Sequence, residues 1–299
     1  MVSPVDLTRL RKFLEERWPD LRGEAVNVLG SGWDHDVIAA AGMVFRFPKN
    51  QAAAESIELE MTLLPQLAPS LPTRLPVPVR VALFEPSLGW KCVAHAFVPG
   101  IPFYDAALDA DLLPDFAVRL GNFVKNLHQL APSSLGCQLP SDSLGRLDET
   151  RRGRGTREQL FQWKHDGVLS GEVISRLFRV LDRWPGPPTS AADVLIHGDL
   201  HGRNLLVTAD GRLSGVLDWV DVHVGHRETD LSTAFEVLPA TNVEGFFTAY
   251  GPVDADAFSR AHWRAIDHLT RTFAGAIEKR DEAFARATRD ALIETSLVG

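Results

Sequence analysis

Residues 197–204 read His-Gly-Asp-Leu-His-Gly-Arg-Asn and lie between the apolar runs Val194-Leu195-Ile196 and Leu205-Leu206-Val207. A plain turn between two strands needs only a glycine or an asparagine. This one adds an aspartate, an arginine and two histidines, which suit a definite chemistry. A carboxylate on a short loop, Asp199, can accept a proton from a hydroxyl. Five residues on, Asn204 offers an amide oxygen, and Asp218 in Ser-Gly-Val-Leu-Asp-Trp-Val-Asp offers a second carboxylate. Hard oxygen donors of this kind hold a divalent cation such as Mg²⁺, which neutralises phosphate oxygens during phosphoryl transfer. His201 suits a contact with phosphate or acceptor, or a hydrogen bond within the loop. Arg203 suits an ion pair with a nearby acidic side chain.

The elements that must position these groups change character along the chain. Ser3-Pro4 opens a helix with apolar residues Leu7, Leu10, Phe13 and Leu14 on one face, ending near Trp18-Pro19. Strand-like runs follow at 24–30, 35–41 and 43–48, with glycines 30, 32 and 42 marking the turns. A helix is expected over 51–68, with Ile57, Met61, Leu64 and Leu67 on its buried face, then strands over 77–85 and 90–98. Pro99-Gly100 breaks the pattern. Beyond it the chain turns helical, at 111–130, 157–183, 228–237, 243–250, 254–277 and 280–296. The β interruption at 194–218 contains two short strands meeting at Ala209-Asp210-Gly211. Residues 151–157, Arg-Arg-Gly-Arg-Gly-Thr-Arg, read as a basic loop. The expected fold is α+β, with a small β-rich lobe over 1–98 and a larger, mostly helical lobe over 99–299.

The chain's 299 residues, 45% of them hydrophobic, suffice for a large core. A net charge of −8 argues against nucleic acid or an anionic membrane as partner and suits a small cationic ligand. Two cysteines, Cys92 and Cys137, make neither a disulfide framework nor a metal site. The first twenty residues carry scattered charge and no uninterrupted apolar core, unlike a signal peptide, and no run approaches a membrane span. These features lead to the expectation of a cytoplasmic protein.

The protein-kinase catalytic loop follows the pattern H-R-D-x-x-x-x-N, with a later metal-binding D-F-G. Here His197-Gly198-Asp199 takes the first place with the same gap to Asn204, and Asp218-Trp219-Val220 takes the second. With the β-then-α order and Glu-Thr-Asp-Leu-Ser at 228–232, the sequence resembles the aminoglycoside phosphotransferase family from about residue 24 to residue 275, most strongly over 194–235. The resemblance implies a two-lobed, protein-kinase-like fold and a kinase acting on small molecules. It makes Asp199 the catalytic base, Asn204 and Asp218 the Mg²⁺ ligands, and His197 and Asp230 structural supports of the loop. The N-terminal lobe is implied to bind ATP or GTP. Gly30, Ser31 and Gly32 stand where the family covers the phosphates, although a G-x-G is equally explained by an ordinary hairpin. A basic strand residue paired to a glutamate on the next helix holds the α- and β-phosphates; register favours Arg46 with Glu60, and Lys49 is the rival. Many relatives carry lysine there, so an arginine is a departure. The base is implied to meet the main chain of Ala96 and Val98, with Phe97 filling core.

The acceptor is implied to lie in the helical lobe facing Asp199. A polycationic aminoglycoside would want carboxylates, for which Asp221, Glu228, Glu236, Glu278, Asp281 and Glu282 are candidates, together with His201. A macrolide would want apolar lining, for which Phe235, Phe246, Phe247, Trp263 and Phe273 are available, though helical spacing makes them core residues first. The acidic balance favours an aminoglycoside. A metabolite kinase of the same fold and a non-catalytic module that binds nucleotide or ligand are the other readings.

Overall fold

The computed structural model describes residues 6–32 and 34–298. The Ser3-Pro4 helix start and Trp33 lie outside the described residues. The chain divides into two compact units: residues 1–99 with 135–138 and 216–220, and residues 100–134, 139–215 and 221–299.

Unit 1 begins with α1 (Leu7–Arg17), capped by the Asp6 side chain, which accepts the Arg9 N–H. The strands β1 (Val26–Ser31), β2 (His35–Ala40), β3 (Met43–Pro48), β4 (Pro78–Glu85) and β5 (Trp90–Ala96) form one antiparallel sheet in the order β1-β2-β3-β5-β4. Strand alternation sends Phe45 and Phe47 of β3 to one face, where they pack with Ile38, Cys92 and Ala94 against Leu10 and Leu14 of α1. Val44 and Arg46 therefore take the other face. α2 (Gln51–Leu67) starts at Asn50, whose side chain accepts the Ala53 N–H, and buries Ile57, Leu64 and Leu67 as expected. Met61 is only partly buried, and its expected place is taken by Leu63 and the charged Glu60.

Phe97 corrects the expectation of a core residue: it is 51% exposed. β5 ends at Ala96, and the Phe97 N–H donates to the carbonyl of Gly42. That contact holds the residue past the last strand, where the alternation that buries a side chain no longer applies.

Unit 2 opens with β6 (Ile101–Pro102), which pairs with β8 (Leu205–Val207); β9 (Leu213–Val216) completes that three-stranded sheet. Gly100 sits at φ +145°, and a β-carbon there would lie 2.4 Å from Ser214 Oγ and 2.9 Å from Leu206 Cβ. Only glycine admits this close approach. A second ribbon pairs β7 (Val194–Ile196) with β10 (His223–Gly225). The helices are α3 (Leu113–His128), α4 (Glu149–His165), α5 (Gly171–Leu181), α6 (Glu228–Leu231), α7 (Thr233–Val237), α8 (Val243–Tyr250), α9 (Ala255–Glu278) and α10 (Glu282–Thr295). Leu160, Trp163, Ile174, Leu177, Trp263, Ile266, Phe273 and Leu292 form the core shared by α4, α5, α9 and α10. The α+β class is as expected.

Three expected elements differ. The basic stretch 151–157 is helical, because Asp148 caps α4 by accepting the Arg151 N–H and the buried Thr156, Leu160 and Trp163 anchor it. The single helix expected over 157–183 is two. Gly167 takes φ +69°, its N–H donates to Lys164 O, and the Val168 N–H donates to Trp163 O, which is a Schellman stop. The helix expected over 228–237 breaks into α6 and α7 at Ser232, whose hydroxyl donates to Thr229 O and Glu236 Oε1. Among the described residues no helix is long and apolar enough to cross a membrane.

Candidate active site

In unit 2 the polar loop 197–204 runs from β7 to β8, and its backbone is tied down before any side chain acts. The Asp230 carboxylate, completely buried at the start of α6, accepts the His197 N–H at 2.8 Å and the Gly198 N–H at 2.9 Å. His128 Nε2 lies 3.3 Å from the same carboxylate. Burial pushes Asp230 upward, but His128, His197 and the Gly198 N–H outweigh it and hold the carboxyl below its ordinary value. The Asp199 N–H donates to His197 Nδ1 at 3.3 Å, so the fully buried His197 also braces the loop. Gly198 sits at φ +88°, and a β-carbon there would lie 2.6 Å from Asp221 O. Its carbonyl accepts from Arg146 Nε, and Arg146 in turn pairs with Asp142 and Asp221.

Asp199 keeps about a quarter of its side chain exposed, at 26%. The Asn204 amide nitrogen donates to Asp199 O at 2.9 Å and to Asp199 Oδ2 at 3.1 Å. His201 Nδ1 accepts the Arg203 N–H at 3.2 Å. Its Nε2 therefore carries the proton and faces Asp199 Oδ2 at 3.5 Å. From α9, His268 Nε2 reaches Asp199 Oδ1 at 3.3 Å. Burial alone would raise Asp199, but His201 and His268 outweigh it and hold the carboxyl well below the usual range. It is a carboxylate at neutral pH, able to accept a hydroxyl's hydrogen bond. Arg203 pairs with Asp281, the cap of α10, and lays its guanidinium 3.6 Å from the Phe284 ring centroid.

Of the candidate acceptor carboxylates of this unit, Asp221, Glu228, Glu236 and Asp281 are engaged, the last with Arg203. Asp221 pairs with Arg146 at 2.8 Å, and Glu228 with Arg260 at 2.8 Å. Glu236, almost fully buried, pairs with His268 Nδ1 at 2.8 Å. Phe235, Phe246, Trp263 and Phe273 are core residues.

In unit 1, Arg46 is buried and pairs with the buried Glu60 at 2.5 Å, so it is not a surface arginine. Burial would lower Arg46, but Glu60 and then Asp218 act against it and leave it raised. Glu60 is raised, chiefly by burial, with Arg46 opposing. Lys49 plays a different part. Its Nζ donates to Ser31 Oγ at 3.1 Å and Gly32 O at 3.0 Å and lies 3.3 Å from Asp36. It closes the β1–β2 turn, aided by Ser31 Oγ donating to Asp36 at 2.6 Å and Gly32 N–H donating to His35 O. A β-carbon at Gly30 would meet nothing within 4 Å, and one at Gly32 only His35 O at 3.9 Å. Packing does not require either glycine. Ala96 pairs with Met43, and its carbonyl accepts from His95 Nδ1; Val98 is buried. Asp218 is exposed and takes φ +59°, the left-handed region.

Asn204 spends its amide nitrogen on Asp199; an amide Oδ1 of this kind, and a carboxylate such as that of Asp218, are each oxygen donors of the class a hard cation takes. Among the described residues no group of three or more His, Cys, Asp and Glu is placed to hold a metal.

His268 had escaped the sequence reading, because it lies far from the loop and no spacing links them. The available signal was its neighbourhood: α9 buries His262, Arg264 and Asp267 and partly buries His268 in one stretch, and buried polar residues need partners.

Comparison with known proteins shows what this chain is similar to. The sequence model of the APH phosphotransferase enzyme family matches residues 25–269. Viomycin phosphotransferase of Streptomyces vinaceus is 28% identical over 222 residues, covering 71% of this chain and 74% of that protein. Among solved structures, the GDP complex of aminoglycoside 2'-phosphotransferase-IIIa superimposes with a TM-score of 0.70 at 21% identity, covering 98% of this chain and 99% of that one. The apoenzyme of macrolide 2'-phosphotransferase MphH from Brachybacterium faecium gives 0.60 at 22% identity, with 96% and 98% covered. These last two likenesses concern the fold.

Proposed function

The chain belongs to the APH phosphotransferase enzyme family, and on that premise we propose that it moves the γ-phosphate of ATP or GTP to a hydroxyl of a small cationic antibiotic, an aminoglycoside first. The observation that carries this reading is Asp199. Its carboxylate is held ionised and partly exposed on a loop whose backbone is fixed by Asp230. Asp199 accepts the hydrogen bond of the acceptor hydroxyl and takes its proton as the new O–P bond forms. Holding the hydroxyl in place contributes too, since orientation lowers the entropic part of the barrier.

Arg46, kept charged by Glu60 and Asp218, is assigned to the α- and β-phosphates; Lys49, committed to the β1–β2 turn, is assigned to shaping it. Mg²⁺ is assigned to Asn204 and Asp218, where it supplies charge neutralisation at the phosphate oxygens. The main chain of Ala96 and Val98 is assigned to the base.

The relatives' activities widen the acceptor panel to viomycin and macrolides. The engaged state of Asp221, Glu228 and Glu236 leaves recognition of acceptor charge to other carboxylates. The test is phosphate transfer from γ-labelled ATP and GTP to aminoglycosides, viomycin and macrolides, with wild type and Asp199→Ala. Wild type is expected to label one of these acceptors. Asp199→Ala is expected to lose nearly all turnover while binding nucleotide as before. Turnover retained by Asp199→Ala would overturn the assignment.

A further inference from the structure

Asp199 is not the only carboxylate that His268 touches. Its Nε2 lies 3.3 Å from Asp199 Oδ1 and its Nδ1 lies 2.8 Å from Glu236 Oε2. An ionised carboxylate only accepts hydrogen bonds, so a ring strung between two of them must donate from both nitrogens. A neutral imidazole would turn a lone pair towards one carboxylate.

We propose that His268 is a positioning residue for the reaction: an imidazolium, supported from behind by the buried Glu236, that fixes the Asp199 carboxylate and makes Oδ1 the oxygen that receives the acceptor hydroxyl. The proposal rests on the reading of Asp199 given above. Asp199 Oδ2 is already crowded by Asn204 Nδ2 and His201 Nε2. Oδ1 meets His268 at 3.3 Å, and an oxygen with two lone pairs can take one more donor.

Glu236 is dedicated to this support. Its side chain is 1% exposed, and Oε1 accepts from Ser232 Oγ at 2.7 Å. A buried carboxylate without a cation is costly, and His268 is the cation it meets. Tyr104 adds a hydroxyl that donates to the Glu236 carbonyl. The charged and titratable groups around His268 are Glu236 from α7, Asp199 and His201 from the loop, and Arg264 one turn earlier on α9. The Tyr104 phenol stands near Glu236 and Asp199 as well, and on packed elements Arg152 of α4 pairs with Asp267, Glu228 of α6 with Arg260, and Asp281 at α10 with Arg203. Burial would lower His268, and Arg264 adds to that, but Glu236 and Asp199 prevail and raise it to about 9. The imidazolium therefore persists through neutral pH and is lost on the alkaline side, where turnover must fall.

The test has two parts. In the wild type, with no acceptor present, ¹⁵N-labelled histidine spectra are expected to show the His268 ring protonated on both nitrogens at pH 7.5. The ring should titrate near 9, and at least about tenfold more readily in proton activity in Glu236→Gln. In turnover, Glu236→Gln is expected to move the alkaline limb of kcat down by about one pH unit or more. His268→Gln is expected to lower kcat about tenfold or more, with the nucleotide KM within about threefold of wild type. A ring neutral at pH 7.5 overturns the proposal, as does an alkaline limb that stays in place in a folded Glu236→Gln. Loss of kcat by one factor at every pH does so too, since that marks a merely structural role. Should both variants fail to fold, the wild-type ring spectrum decides alone. Turnover retained by Asp199→Ala removes the reading of Asp199 instead, and the protonation of His268 is still readable.

Discussion

Asp230→Asn preserves the shape of a side chain and removes one acceptor, which makes it a sharp probe of how the loop 197–204 is held. The carboxylate takes two backbone N–H donors, from His197 at 2.8 Å and Gly198 at 2.9 Å, one on each oxygen. An amide can take only one of them on its oxygen, and its NH₂ then faces the other donor. One charge-assisted bond becomes a neutral bond, a loss of about 1 kcal/mol. The other buried N–H goes unsatisfied, at about 1–3 kcal/mol. The expected loss is about 3 kcal/mol of a total near 5–15 kcal/mol, or about 6–12 °C in Tm for a domain of this size. Because the two donors are the residues just before Asp199, kcat should fall more than the nucleotide KM rises. The pH dependence follows from the direction of the shift. Asp230 is held below its ordinary 3.8, so its contribution is complete above that value and disappears as pH falls through the lower folded value. The stability gap between wild type and variant, read by urea unfolding, should be present at neutral pH and narrow below pH 4. A gap under about 1 kcal/mol at neutral pH, with kcat unchanged, would refute the claim that Asp230 fixes the loop.

Three further outcomes are expected. His262, stacked on Phe235 and within 2.9 Å of Thr295 O, is lowered to about 4, chiefly by burial. Below 6.5 the unfolded chain takes a proton that the native state refuses until about 4. Over that window this residue should therefore cost the wild type about 3 kcal/mol, a cost absent from His262→Gln; urea unfolding at pH 7, 5.5 and 4.5 checks it. Removing both buried charges with Arg46→Met and Glu60→Met should leave the fold intact while lowering kcat/KM for nucleotide about 10–100-fold. Lys49→Ala should lower it less than about threefold, and steady-state kinetics showing the reverse order would give the phosphate role to Lys49.

What could be read from the sequence was local. The loop 197–204 announced itself because an apolar run on either side makes its polar residues conspicuous, and Asp199 and Asn204 stand within one turn of chain. Arg46 and Glu60 were legible because β3 is followed at once by α2. The basic stretch 151–157 was not, since its arginines and glycines disguise a helix that Asp148 caps and Trp163 anchors. Gly167, one residue in a long helical pattern, stops α4 by a left-handed turn that composition does not show. Phe97 followed the rule for a strand residue although the strand had already ended. His268 was furthest from view: its contacts with Glu236 and Asp199 exist only once α7, α9 and the loop have met, and tertiary packing leaves no periodic trace.

The left-handed backbone at Asp218, φ +59°, also sets the routes by which this chain can drift. Asparagine and aspartate enter that region at modest cost and glycine at none, whereas β-branched residues are strained there. Loss of a charged side chain at 218 should thus pass first through asparagine or glycine. A chain with asparagine or glycine at this position is expected to keep the turn intact and the fold undisturbed. The shape of this turn can thus outlast the charge it now carries.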